Sequence, residues 1–185
     1  MAGRTFNNIV LLRFTELRGK AMAAGRTYTP IATVTLGSNT TVTFSNIPQT
    51  YTDLVLVCEA TGTTNGAMDV RFNGDTGTNY SRTGLYGDGS SGGSYLNSNL
   101  SYGLISAGAS TNRDTSVTHF MNYSNTTTHK TYVTRSGGYS SGYTGFAGYL
   151  WRSTAAITSM SFTGDPIGSN IGSTSILTLY GIAAA

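Results

Sequence analysis

Charge is scarce in this 185-residue chain: Asp, Glu, Lys and Arg make up 10% of it, against about 25% in an ordinary globular domain. Cysteine is reduced to Cys58, so no intrachain disulfide can form, and folding rests on a core, on assembly, or on both. Only three prolines interrupt the chain. Its opening apolar run, Ile9-Val10-Leu11-Leu12, is broken by Arg13 and Glu16. That is far short of the ~20 residues a membrane-spanning helix needs, and too short for the core of a secretory signal. What fills the space instead is Thr, Gly, Ser and Asn, at 31, 24, 21 and 13 residues, together 89 of the 185. This is not the Ala/Leu/Glu/Lys diet of a helical bundle. Nor is it disorder, because 38% is apolar and 11% aromatic. Many short strands joined by tight turns suit it best.

The few charges are unevenly placed. Residues 1–26 hold Arg4, Arg13, Arg18, Lys20 and Arg26 against Glu16, a net of +4, while the remaining residues carry a net of −1. The basic pI therefore belongs to the leader. The body lacks the basic face that nucleic-acid binding requires. Residues 1–26 read as an arm and 27–185 as one domain. Within the arm, Asn7 to Lys20 has the pattern of a short helix with Phe6, Ile9, Val10, Phe14 and Leu17 near one face. A helix that short needs a partner surface. Arg4, Ile9, Val10, Arg13, Phe14, Leu17 and Arg18 are thus the candidate partner-binding residues.

From Tyr28 the hydrophobic period changes to two. Strands are expected at Ile31–Leu36, Thr41–Ser45, Asp53–Ala60, Met68–Phe72, Tyr80–Tyr86, Leu100–Ser106, Val117–Tyr123, Lys130–Arg135, Tyr143–Trp151, Thr158–Phe162 and Ile176–Ile182. Asp53–Ala60 and Ile176–Ile182 are apolar on both faces, as in central strands. Asn73-Gly74 gives a hairpin signal, Gly87–Ser94 reads as a flexible loop, and Gly145 and Gly148 suggest a bulge or a close backbone approach. No helical crossover separates the strands, so the sheets are expected to be antiparallel. The fold class is all-β: a two-sheet sandwich, jelly-roll-like rather than immunoglobulin-like.

Catalytic chemistry is hard to find. His119 and His129 stand ten residues apart, and a Ser/His/Asp set can be assembled on paper from any chain this rich in Ser, so it carries almost no signal. One Cys and two scattered His do not make a zinc site. Asp75, Asp88, Asp114 and Asp165 sit in turns, where Asp usually bonds its own backbone. Asn73 to Asn79 alternates oxygen ligands around glycine, but the twelfth position is Gly84 and the bidentate Glu of a calcium loop is missing. No cofactor or metal is expected. Tyr139, Tyr143, Tyr149 and Trp151 cluster in a Gly-rich stretch; they are candidates for stacking sugars or touching a subunit, with core and turn packing as the plainer reading.

The segments Tyr28-Thr-Pro-Ile-Ala-Thr-Val-Thr-Leu36, Val42 to Val57, Val70-Arg-Phe-Asn-Gly-Asp75, Asn79-Tyr-Ser-Arg82 and Leu179-Tyr-Gly-Ile182 together resemble a family of small structural proteins encoded by tailed bacteriophages, frequent among aquatic phages. Residues 1–21 depart from it. The resemblance implies a non-enzymatic virion part on the outer surface of the particle and supplies no catalytic residues. Its members include capsid decoration, tail and fibre proteins. This chain has no heptad, collagen-like or β-repeat shaft. The expectation is therefore a decoration or cement protein docking on the major capsid protein as a homo-oligomer, a trimer. The alternative is a tail knob or fibre tip that binds host glycans.

Overall fold

The computed structural model describes residues 27–37, 41–62, 66–109, 113–138, 142–164 and 171–183. Twelve strands are named in it: β1 Tyr28–Thr35, β2 Val42–Phe44, β3 Asp53–Ala60, β4 Gly66–Phe72, β5 Tyr80–Gly87, β6 Gly92–Leu100, β7 Gly103–Ala109, β8 Asp114–Met121, β9 Lys130–Gly137, β10 Thr144–Trp151, β11 Met160–Gly164 and β12 Ile176–Ile182. No helix occurs among the described residues, and therefore none long and apolar enough to cross a membrane.

The strands form two sheets. One has eight strands in the order β1-β12-β3-β8-β9-β10-β5-β6, the other four in the order β2-β11-β4-β7. Every pairing is antiparallel, and the pairings nest. β5 pairs with β6, β3 with β8, and β1 with β12 in the large sheet; β4 pairs with β7 and β2 with β11 in the small one. The chain is thus one long antiparallel ribbon rolled over itself, which is the jelly-roll expectation realised. The hairpin β9–β10 is an insertion: it enters the large sheet between β8 and β5.

Alternation places the core between the sheets. Leu54, Leu56, Cys58 and Ala60 of β3, Leu177 and Leu179 of β12, and Tyr132, Tyr149 and Trp151 of β9 and β10 face Met68, Val70, Phe72, Met160 and Phe162 of the small sheet. At its centre Phe72 meets Phe120 and Tyr132 edge-on, with centroids 5.8 and 5.5 Å away, and Trp151 at 5.2 Å. Each such pair contributes about 0.5–1.5 kcal/mol beyond simple burial.

Several expectations change. Asn73 and Gly74 have φ of 52° and 72° and form a tight turn, closed by Asp75 N–H to the Phe72 carbonyl at 2.9 Å. But β4 and β5 lie in different sheets, so this turn is a crossover, not a hairpin. The expected loop at Gly87–Ser94 is much shorter, because β6 starts at Gly92. Nothing on β6 is fully buried, so its sequence lacks the apolar alternation that marks a strand. β10 pairs with β5 and β9 without a register shift, so Gly145 and Gly148 make no bulge. Gly145 lies close to the Tyr143 ring, while the space beside Gly148 is open.

Candidate functional site

The anchor residues expected in the arm, Arg4, Ile9, Val10, Arg13, Phe14, Leu17 and Arg18, lie outside the described residues, and so does Tyr139. The other three aromatics of the Gly-rich stretch separate. Tyr149 and Trp151 point inward from β10 on alternate positions and are buried in the core. Tyr149 lies parallel to Tyr132 with centroids 4.6 Å apart. The Trp151 ring stacks on Tyr80, and its Nε1–H donates to Asp75 Oδ2 at 2.7 Å. Buried on both sides, neither ring has a face to offer a sugar. Tyr143, which precedes β10, stays partly exposed.

Tyr143 joins two tyrosines that the sequence did not single out. Its ring is nearly parallel to Tyr86, with centroids 5.7 Å apart and 10° between planes, and Tyr86 is nearly parallel to Tyr95 at 6.4 Å. A strand glycine lies under two of them: Tyr86 over Gly93, its partner in the β5–β6 ladder, and Tyr95 over Gly84. A Cβ at Gly93 would come within 2.8 Å of the Tyr86 hydroxyl. Arg82 places its guanidinium 4.8 Å from the Tyr95 ring centre and donates from Nε to Asn97 Oδ1 at 2.8 Å. The result is a shelf of three near-parallel rings with one fixed cation. The adjoining β5–β6 turn is stiffened by Asp88, whose Oδ1 accepts the Ser90 and Ser91 N–H groups at 2.9 and 2.6 Å. These bonds from Ser91 and Ser90 hold the Asp88 carboxyl well below the usual range. A Tyr-to-Gly cross-strand match was the available sequence signal, but it is readable only once the register is known.

The opposite face of the eight-stranded sheet is unlike a normal solvated surface. Leu96 is 80% exposed, Leu85 63%, Phe146 55% and Tyr28 53%. The register makes Leu85 and Phe146 direct neighbours and sets Leu96 opposite Thr83, diagonal to Leu85. Leu85 pairs with Phe146, Phe146 with Arg135, Arg135 with Val117, and Val117 with Val57. A trough in this face is lined by Val55, Val117, Val133, Tyr28 and Phe146 together with His119 and Arg135. Single exposed apolar residues need no explanation, whereas several on one face do.

The remaining chemistry is structural. His119 Nε2 lies 2.9 Å from Asp53 Oδ2 on this outer face, and Asp53 Oδ1 accepts the Asn122 N–H at 2.6 Å. Burial pushes the Cys58 thiol up to about 12, and the neighbouring Glu59 charge adds to this against a Ser116 hydrogen bond. A thiol in that state is not a nucleophile. Asp75, in the loop weighed as a calcium site, binds N–H donors with both oxygens: Gly77 N at 2.8 Å, Asn79 Nδ2 at 2.9 Å and Trp151 Nε1. Burial alone would raise its pKa; the bonds from Trp151, Asn79 and Gly77 outweigh it and hold the carboxyl below its ordinary value. Among the described residues no group of three His, Cys, Asp or Glu is placed to hold a metal ion. No family model, no curated protein and no solved structure matches the chain. The bacteriophage resemblance therefore rests on the quoted segments alone.

Proposed function

We propose that this protein is a non-enzymatic structural component of a bacteriophage virion, a decoration or cement protein that docks on the major capsid protein. The observation that carries the reading is the set of exposed apolar side chains Leu96, Leu85, Phe146 and Val57 on the outer face of the large sheet, with Leu85 and Phe146 directly opposite each other. A domain with so little charge, so many hydroxyls and one uncovered apolar face suits permanent attachment to a larger surface. The basic segment 1–26 enters the body at β1, in the same sheet, and Tyr28 opens that strand. Arm and face together are a two-part anchor in this reading.

The test uses emptied or expanded capsids and the purified protein. Leu85→Glu with Phe146→Glu should lower binding at least about tenfold, since a charge desolvated at an interface loses more than 1.4 kcal/mol. Both side chains are exposed, so the melting temperature should stay near that of the wild type. A chain starting at Met22 should also bind poorly. Equal occupancy by all three proteins would refute the docking assignment.

A second reading, a tail knob or fibre tip that binds host glycans, is favoured by the Tyr86, Tyr95 and Tyr143 shelf. Stacking on each ring would contribute on the order of 1 kcal/mol, by analogy with aromatic contacts in general. Tyr86→Ala with Tyr143→Ala should then abolish saturable binding to host cells or polysaccharide. The decoration reading expects no such binding from the wild type.

A further inference from the structure

An open sheet edge is a row of unpaired N–H and C=O groups, and proteins normally blunt it with proline, charge, a bulge or brevity. The two sheets have four edges, β1, β6, β2 and β7. β1 carries Pro30 and a register shift between Pro30 and Ala32. β2 is three residues long. β7 pairs with β4 through two register shifts and packs back on β8, β9 and β10. β6 is protected by none of these over most of its length. It has nine residues, more than any other described strand, with no charge and no proline. Its one register shift falls at the Asn97–Leu100 end. Gly92 to Asn97 therefore runs in unbroken register with β5, and no described strand pairs with its other side.

We infer that the β6 edge is a self-association surface, where two copies of this chain pair β6 with β6 in antiparallel fashion about a two-fold axis at Leu96. Such a contact is isologous: the same patch serves both partners. Centred on Leu96, it sets that residue against its own copy and Tyr95 against Asn97, with Ser94 meeting Ser98 where the register shift begins. Leu96 is the most exposed large apolar side chain among the described residues, at 80%, and the contact covers it. The strand is uncharged, so two identical edges meet without like-charge repulsion, which would otherwise oppose a homodimer. The contact also lies on the face that carries the other exposed apolar side chains. It brings Leu96, with Leu85 and Phe146 behind it, toward the same residues of the other copy. Arg82, the nearest charge on β5, is engaged by Asn97 and Tyr95 on the other face of the sheet. An antiparallel edge contact is two-fold by geometry, so it builds a dimer and not the trimer expected from the sequence. The inference stands whether or not the protein is part of a virion.

Sedimentation equilibrium of the full-length chain tests it, with exposed positions substituted so that folding is spared. The wild type should run at twice the chain mass at concentrations in the tens of micromolar, as a small interface allows (on the order of micromolar Kd). Ser94→Lys with Ser98→Lys sets lysine against lysine at both ends of the contact. It should raise the dissociation constant at least about tenfold. Ser94→Lys with Ser98→Glu sets lysine against glutamate across the same axis and should restore the dimer. Thermal melts of both variants under dilute conditions should match each other, separating association from folding. Three results would overturn the inference: a monomeric or trimeric wild type, a double-lysine variant as dimeric as the wild type, or no difference between the two variants. A monomeric full chain alongside a dimeric chain starting at Met22 would assign the edge to residues 1–21 instead, and that too overturns it.

Discussion

Asp75 and Trp151 show how one residue's chemistry is consumed by folding. The Trp151 ring fills the core between Phe72 and Tyr80, and its single N–H finds the Asp75 carboxylate at the turn beside it. Asp75→Ala would leave the buried indole N–H without its acceptor, costing about 1–3 kcal/mol; urea unfolding should show the loss as a lower midpoint. The pH dependence has a defined sign. Asp75 has a folded pKa below its unfolded one, so its contribution is fully present above the ordinary carboxylate value near 4 and is lost as pH falls through the folded value. Stability of Asp75→Ala should therefore decline less between about pH 4 and 2 than that of the wild type. Cys58 gives a second check. With its thiol pushed up to about 12 and buried, it should resist a disulfide reagent at pH 8 in the folded protein and react at once in denaturant. Rapid labelling of the native chain would contradict the packing described. Trp151 also alters how a glycan shelf has to be probed: replacing it by Ala removes core, so only Tyr86, Tyr95 and Tyr143 give an interpretable result.

Strand glycines separate legible elements from illegible ones. Gly103 of β7 faces Tyr132, and a Cβ there would overlap the Tyr132 hydroxyl and press on Val70. Gly103→Ala should destabilise the fold by about 1–3 kcal/mol, the usual range for overpacking a core. Gly148→Ala, where nothing lies within 4 Å, should be neutral or slightly stabilising, because alanine reduces the entropy of the unfolded chain. A matched pair of thermal melts checks both, and equal losses would mean the β10 surface is not open. The same contrast explains what the sequence revealed. Asp53–Ala60 and Ile176–Ile182 were readable to the residue because both faces carry large apolar side chains. β6 was not, since Gly92, Gly93, Ser94, Asn97 and Ser98 are small or polar and leave no periodic hydrophobic signal. The Asn73-Gly74 turn was visible, but its two flanking strands belong to different sheets. Local turn chemistry cannot choose between a hairpin and a crossover; the inserted β9–β10 pair and the rolled ribbon decide that.

For the whole molecule the decisive feature is the mismatch between eight strands and four. The small sheet covers only part of the inner face of the large one, and the Tyr86–Tyr95–Tyr143 shelf stands on the rest of it; the outer face has no second layer among the described residues, and Leu96, Leu85, Phe146 and Tyr28 stand on it. Period two in the sequence revealed that these strands have two faces. It did not reveal that Leu85 of β5 and Phe146 of β10 stand opposite each other, because alignment depends on register, and register is a property of the pairing. The same holds for the tyrosine shelf. Under the proposed function this outer face attaches the protein to a virion surface. Cryo-electron microscopy of intact virus particles carrying the protein is the decisive measurement. The expected result is β-sandwich density on the capsid, with the face bearing Leu85 and Phe146 against the capsomer and the Tyr86–Tyr143 shelf away from it. Density only at the tail tip, or a capsid-bound domain whose Leu85 and Phe146 face open solvent, would contradict it.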